Sequence, residues 1–370
     1  MATVLVTGGT GFVGSHLVRR LVELGYHVRV LTRAGGTTKR TLPSVRCTLV
    51  EGDPLDPDVC RRATLGTDAV IHLIGILKES RNISYREAHV QTTRLLLSAA
   101  KGNGVRRWLH MSALGSRPYA PSRYHQTKWT AEELVRASEL HWTIFRPSVI
   151  YGPGDHFLTV FRNLLSRPLF RYFSILPLPG GGASPLQPVA VEDVVTAFTR
   201  ALVLPQTIGK EYVLSGPDRV TLAEICSLLL ESEQRPICRS PSRARIAARL
   251  LLFAAIFALF PASALLGLAG GLSPEGWGIL LASWGGMGLL SLRSRPVLLL
   301  PIPWPLARTL ARFAEGLPSP LPIGREPLLM LEEGNIGDAT LAAKDLGIEF
   351  LPFREGLSRF LLSEGASFYP

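Results

Sequence analysis

The sequence predicts an α/β fold, a doubly wound parallel sheet followed by a smaller C-terminal region. Three observations predict it. Short apolar runs alternate with amphipathic helical patterns through the first 150 residues. A glycine-rich turn joins the first run to the first helix. The length, 370 residues, suits one large α/β domain with appended structure.

The elements follow in order. Residues 3–6 form a short buried strand, and a helix runs through 15–22 until Gly25 stops it. Further strands are expected at 28–31, 47–50, 69–73, 107–111 and 142–145, with helical patterns between most of them. Right-handed crossovers then place helices on both faces of the sheet. From about residue 150 the texture changes to Pro- and Gly-rich loops such as Pro177-Leu178-Pro179-Gly180-Gly181-Gly182, which suit a variable substrate-facing region. A strand at 212–214 and a helix at 222–230 follow.

Composition narrows the function classes. The formal net charge of +11 points to an anionic surface, to nucleic acid or to phosphorylated ligands. No nucleic-acid motif and no Lys/Arg run is present, so nucleic acid is not an expected partner. Cys47, Cys60, Cys226 and Cys238 are scattered without a CxxC pair, so neither a metal site nor a disulfide framework is expected. They fit a reducing compartment as small core residues. The chain enters its first strand at once, and no secretory signal is expected.

The first turn reads Thr7-Gly8-Gly9-Thr10-Gly11-Phe12-Val13-Gly14. Gly8, Gly11 and Gly14 permit a tight turn, close approach of backbone to a pyrophosphate, and packing of helix on strand. Phosphates would sit on the N–H groups that open the helix, so Thr10, Phe12 and Val13 join the glycines as cofactor-binding residues. After the second strand an NAD enzyme places an acid for the ribose 2′-OH. This chain has Leu31-Thr32-Arg33, then Lys39 and Arg40. Arg33 is suited to a 2′-phosphate, so NADP(H) is favoured over NAD(H). Asp53 follows the third strand, where a carboxylate can accept from the adenine amino group.

Tyr124 and Lys128 are four apart and share one helical face. A phenol near pKa 10 is a poor acid–base group at neutrality, and a neighbouring ammonium would lower it. Ser112 ends a strand twelve residues before Tyr124 and could polarise a substrate carbonyl. Lys128 can also hold the cofactor ribose.

These residues carry a resemblance. The chain resembles the extended short-chain dehydrogenase/reductases of the NAD-dependent epimerase/dehydratase superfamily, over roughly residues 1–235 and 325–362. The turn from Thr7 to Gly14 is similar to the family's Gly-rich turn, and Ser112, Tyr124 and Lys128 to its catalytic Ser, Tyr and Lys. Arg146-Pro147-Ser148-Val149-Ile150-Tyr151-Gly152-Pro153 looks like the motif that leads into the family's substrate domain, and Pro188-Val189-Ala190-Val191-Glu192-Asp193-Val194 like a second such signature. Within the superfamily the chain looks most like the atypical branch that holds the NADPH-binding accessory subunit of respiratory complex I. The carrying residues are Ile74-Gly75-Ile76-Leu77, His89-Val90-Gln91, Met111-Ser112-Ala113-Leu114-Gly115, Asp155-His156-Phe157 and Gly334-Asn335-Ile336-Gly337-Asp338. Sugar dehydratases follow the serine with Thr and an acidic pair. Ala113-Leu114 stand here instead, which argues against sugar dehydration.

One stretch departs from the resemblance. Between Leu250 and Leu292 the only ionisable side chain is Glu275. Two apolar segments flank the turn Ser273-Pro274-Glu275-Gly276, with Arg243, Arg245 and Arg249 before the pair and Arg293 and Arg295 after it. Length and flanking charge predict a membrane hairpin that anchors the chain at the cytoplasmic face, with a pair of buried or dimer-interface helices as the alternative. The expected organisation is therefore a Rossmann-type domain over 1–235, a hairpin over 243–295 and a C-terminal substrate or capping region over 296–370. The expected function is a membrane-associated NADP(H)-dependent oxidoreductase or epimerase acting on a small-molecule or lipid-like substrate. The alternative is a non-catalytic NADPH-binding accessory or assembly factor, with a respiratory complex as partner.

Overall fold

The computed structural model of the chain describes residues 2–33, 42–43, 45–155, 157–166, 174–232, 237–238, 296–314 and 324–365. Its main sheet contains β1 (Thr3–Thr7), β2 (His27–Thr32), β3 (Cys47–Glu51), β4 (Ala69–His72), β5 (Arg107–Met111), β6 (His141–Pro147) and β7 (Lys210–Leu214). The spatial order is β3-β2-β1-β4-β5-β6-β7, and every pair is parallel. Each of the seven sits on one of the apolar runs read from the sequence. The connecting helices include α1 (Phe12–Glu23), α2 (Pro57–Thr64), α3 (Thr92–Gly102), α4 (Arg123–Arg136) and α5 (Val191–Val203).

Strand alternation sends side chains to two cores. Val4 and Val6 join Leu17, Leu21, Val194 and Phe198, under α1 and α5. Leu5 points the other way and joins Val70, Leu96, Trp108 and Ile144, under α2, α3 and α4. Both faces are covered, so the strands read as continuous apolar runs rather than alternating ones. The order of connection reverses between β1 and β4. Such a switch point opens a crevice at the carboxyl ends of the strands.

The chain divides into two compact units. One comprises residues 1–157, 184–220 and 308–370, and holds the main sheet. In it the C-terminal residues supply α6 (Arg325–Glu333), α7 (Thr340–Leu346) and α8 (Phe353–Gly365). The other comprises residues 158–183 and 221–307. It contains a parallel three-stranded sheet with Val297–Ile302 between Ile175–Pro179 and Ile237–Cys238.

The hydrophobic hairpin expected at 250–292 lies outside the described residues. The expected anchorage at the cytoplasmic face of a membrane is corrected here. Among the described residues no helix is long and apolar enough to cross a membrane. The longest is α4, whose 14 residues fall short of the ~20 that a bilayer core requires.

Candidate functional site

The glycine-rich turn is built by close contact. Gly8 has φ 73, and a Cβ there would meet the backbone of Leu73 and Ile74 at 3.1 Å. A Cβ on Gly14 would stand 2.1 Å from the Gly8 carbonyl oxygen. Only glycine lets the first turn of α1 pass this near the end of β1. Gly11 caps α1 without a side-chain hydrogen bond. The first N–H groups of the helix, including those of Phe12, Val13 and Gly14, therefore remain available to an anion. Thr10 is half-buried in the same turn, and the Phe12 ring stands edge-on to His16, whose Nε2 is 2.8 Å from the Pro153 carbonyl. These features fit a dinucleotide phosphate.

Arg33 is exposed one residue past β2. Asp53 is exposed two residues past β3, and its Oδ1 accepts from Leu55 N at 2.9 Å. That bond makes the turn before α2 and engages one of its two oxygens.

The Ser, Tyr and Lys come together through β5 and α4. Ser112 follows β5, donates its N–H to the Phe145 carbonyl at 2.7 Å, and has its hydroxyl 3.2 Å from that of Ser116. Ser122 caps α4 by accepting from His125 N, which sets Tyr124 and Lys128 in the first two turns. Lys128 Nζ donates to the Met111 carbonyl at 3.0 Å, beside Ser112. A Cβ on Gly75 would lie 3.0 Å from that same nitrogen. The glycine-rich turn, residues 73–75, Lys128 and Ser112 thus form one continuous wall. Tyr124 packs with Ala113 and Tyr85 in a small buried cluster.

Burial governs the titration of this wall. It pushes the Tyr124 phenol up to about 12. It pulls the Lys128 ammonium down to about 8, against the opposing charge of Glu132. The expected lowering of the phenol by Lys128 does not occur in this arrangement. Desolvation favours the neutral form of both groups, and the ammonium is engaged by a carbonyl.

Several neighbours are not assigned to the site from sequence, although His89 and Asn335 lie in stretches that carry the family resemblance. His89 sits in a π-helical turn, Arg86–Gln91, that precedes α3. Its Nε2 accepts from Ile76 N at 3.1 Å, so its Nδ1 carries the proton toward Thr127 Oγ1 at 2.9 Å. Its ring stands edge-on to Tyr124, with centroids 5.3 Å apart. From the C-terminal region, Glu326 Oε2 lies 3.4 Å from Tyr124 N, and Met330 packs on the Tyr124 cluster. Asn335 Oδ1 accepts from Val149 N at 3.0 Å and from the Ser148 hydroxyl, which clamps α6 to the loop after β6. Nothing local in residues 326–333 announces the contacts of Glu326 and Met330, because their partners lie far off in the sequence.

A cavity of about 1310 Å³ lies elsewhere in the same unit, lined by Tyr151, Gln187, Asp193, Gly337, Glu355 and Arg359 among others. Ser112, Tyr124 and Lys128 do not line it. The chemistry-bearing residues, rather than the volume, mark the candidate site.

The profile of the NAD dependent epimerase/dehydratase family matches residues 4–215. The chain is 33% identical over 232 residues to NADH dehydrogenase [ubiquinone] 1 alpha subcomplex subunit 9, mitochondrial, of Arabidopsis thaliana. That match covers 61% of this chain and 56% of that protein, so the chain spans little more than half of this curated relative. It is 34% identical over 152 residues to the ceramide reductase of Caulobacter vibrioides, covering 41% of this chain and 47% of that protein. Among solved structures, UDP-glucuronic acid 4-epimerase from Bacillus cereus in complex with NAD aligns at TM-score 0.55 and 23% identity. It covers 63% of this chain and 84% of that one, a likeness of fold.

Proposed function

Because the chain belongs to the NAD dependent epimerase/dehydratase family, we propose that it is an NADP(H)-dependent oxidoreductase or epimerase acting on a lipid-like alcohol or ketone. One observation carries this reading. Lys128 bonds the carbonyl that precedes Ser112 and abuts Gly75, whose neighbours Leu73 and Ile74 pack on Gly8. A dinucleotide laid on the glycine-rich turn would reach the Ser-Tyr-Lys cluster along that wall.

A bound nicotinamide would supply or accept the hydride. Ser112 would hold the reacting oxygen by its hydroxyl, and Tyr124 would exchange the proton with it. Lys128 would anchor the ribose, and its ammonium, redirected by a ligand from the Met111 carbonyl toward the phenol, would favour the phenolate. The lipid-like substrate is supported by the similarity to a ceramide reductase and by the apolar cluster around Tyr124. NADP(H) is supported by Arg33 at the end of β2 and by the lack of an acid there.

A second reading has an observation of its own. Burial holds the Tyr124 phenol near 12, far from acid–base duty at neutrality, and the chain is similar to a respiratory-complex subunit. In this reading the protein binds NADPH as an accessory or assembly factor of a respiratory complex and does not turn over.

Tyr124→Phe separates the two. The oxidoreductase reading expects NADPH oxidation with long-chain ketones to fall by about a hundredfold or more, with NADPH still bound. Equal turnover in the variant and the unchanged protein would remove Tyr124 from the chemistry. Inert NADPH retained through purification together with a large complex supports the accessory role.

A further inference from the structure

We infer that Glu326 and Met330, on the inner face of α6, form the specificity wall of the Tyr124 site. They select an uncharged, apolar-chained ketone or alcohol with a hydrogen-bond donor beside the reacting carbon over a phosphorylated one. This inference rests on the oxidoreductase reading above and names its substrate class.

Glu326, Met330 and Glu333 stand at i, i+4 and i+7, on one face of α6. That face meets the loop after β5 and the first turn of α4, the two segments that carry Ser112 and Tyr124. Met330 packs against the cluster formed by Tyr85, Ala113 and Tyr124. A thioether on an unbranched chain adapts to alkyl groups of varied shape. Glu326 places Oε2 3.4 Å from Tyr124 N. The same carboxylate is near the Tyr85 phenol, which burial, then Glu326, then Glu79 drive above its ordinary range.

Lys128 is engaged by the Met111 carbonyl, and the charges contributed around α6 are arranged against a phosphate. Glu79 accepts from Tyr85 N at 2.9 Å with one oxygen and from Arg123 at 2.9 Å with the other. Glu333 pairs with Arg117 at 2.5 Å, and its second oxygen lies 3.4 Å from His125 Nδ1. Both arginines are thus already matched to carboxylates, and a phosphate would have to displace one while facing Glu326. A hydroxyl or amide N–H would instead donate to the Glu326 carboxylate in a charge-assisted bond. Exclusion of the anion and attraction of the donor then come from one side chain.

The test uses the full chain with NADPH bound and two ketones of similar length. N-octanoyl aminoacetone carries an amide N–H beside its ketone, and octanoyl dihydroxyacetone phosphate carries a phosphate there. The Kd of each is read from the fluorescence of bound NADPH, and turnover from NADPH oxidation. The neutral ketone should bind about thirtyfold more tightly than the phosphate. Glu326→Lys should shrink that ratio by about tenfold or more, chiefly by tightening the phosphate. Glu326→Gln should shrink it by about threefold, and this variant decides the matter if the lysine form does not fold. Met330→Ala should weaken both ketones by about tenfold, since both use the apolar wall. Equal binding of the two ketones, failure of both to bind, or a ratio untouched by the Glu326 substitutions would overturn the inference. Selective binding of the neutral ketone without NADPH oxidation would support the wall and sink the oxidoreductase reading instead.

Discussion

Arg33 follows β2 at the position where a carboxylate would otherwise receive the ribose 2′-OH. Its guanidinium is exposed and offers a planar fork to a 2′-phosphate. Arg33→Ala should weaken NADPH by about ten- to a hundredfold, the ~1.5–3 kcal/mol of a charge-assisted hydrogen bond. NADH should change little, and calorimetric titration of both cofactors checks this. Tighter binding of NADH than of NADPH by the unchanged protein would defeat the assignment. One Asp53 oxygen makes the turn that opens α2, which leaves the other for the adenine amino group it is expected to receive. Lys128 and Tyr124 show that the titration of a side chain is set by its burial before its neighbours act.

The elements explain why these side chains converge. Tyr124, Lys128, Glu132 and Arg136 repeat every four residues on α4 and form one stripe. Glu132 is fully buried and accepts from both Arg136 and Arg146, fixing the far end of that stripe against β6. At the other end, the Ser122 cap fixes the first turn. The approach of α1 to β1 depends on Gly14 in the same way. Gly14→Ala would put a Cβ 2.1 Å from the Gly8 oxygen, closer than such atoms can come. The turn must open, at a cost of roughly 1–3 kcal/mol, and its amides leave the phosphate. Thermal unfolding should show the loss of stability, and NADPH affinity should fall by about tenfold or more. A variant with unchanged affinity would mean that the pyrophosphate does not use this turn.

For the molecule as a whole, the ends of β4 and β5 and the π-helical turn before α3 hold three neutral histidines. Burial, reinforced by Lys128, pulls His72 down to about 3. Burial with neighbouring charge takes His89 to about 2 and His110 well below its ordinary range. The unfolded chain protonates all three near its usual pKa of about 6.5, while the folded chain does not. Their stability contribution is therefore complete above about 6.5 and is lost as pH falls toward the folded values. Stability should fall steeply between about pH 6.5 and 5, by up to ~1.4 kcal/mol per pH unit for each histidine, read as a falling melting temperature. His72 is satisfied on both sides by Thr7 and Thr93, whereas neither ring nitrogen of His110 has a hydrogen-bond partner among the described residues. His110→Leu should remove one share of the acid lability and raise stability at pH 7. An acid transition as steep in this variant as in the unchanged protein would exclude His110 as a source.

The sequence by itself determined the sheet. Its seven apolar runs became seven parallel strands, because a buried strand needs only local β-branched and apolar residues with turns around them. It likewise exposed the glycine-rich turn and the family, since those signals lie within eight residues or repeat at fixed spacing. The placement of Ser112 against Lys128 was legible only in outline, through strand end and helix register. Tertiary structure alone decided the rest. Glu326, Met330 and Asn335 reach the site from more than 180 residues away, and no period in residues 325–335 records which loop they will meet. The protonation of Tyr124 and the neutrality of His72, His89 and His110 follow from desolvation, which is set by how many atoms surround a group in space. Local sequence encodes backbone preference and hydrophobic period. Long-range contact and the dielectric around a charge exist only once the chain has packed.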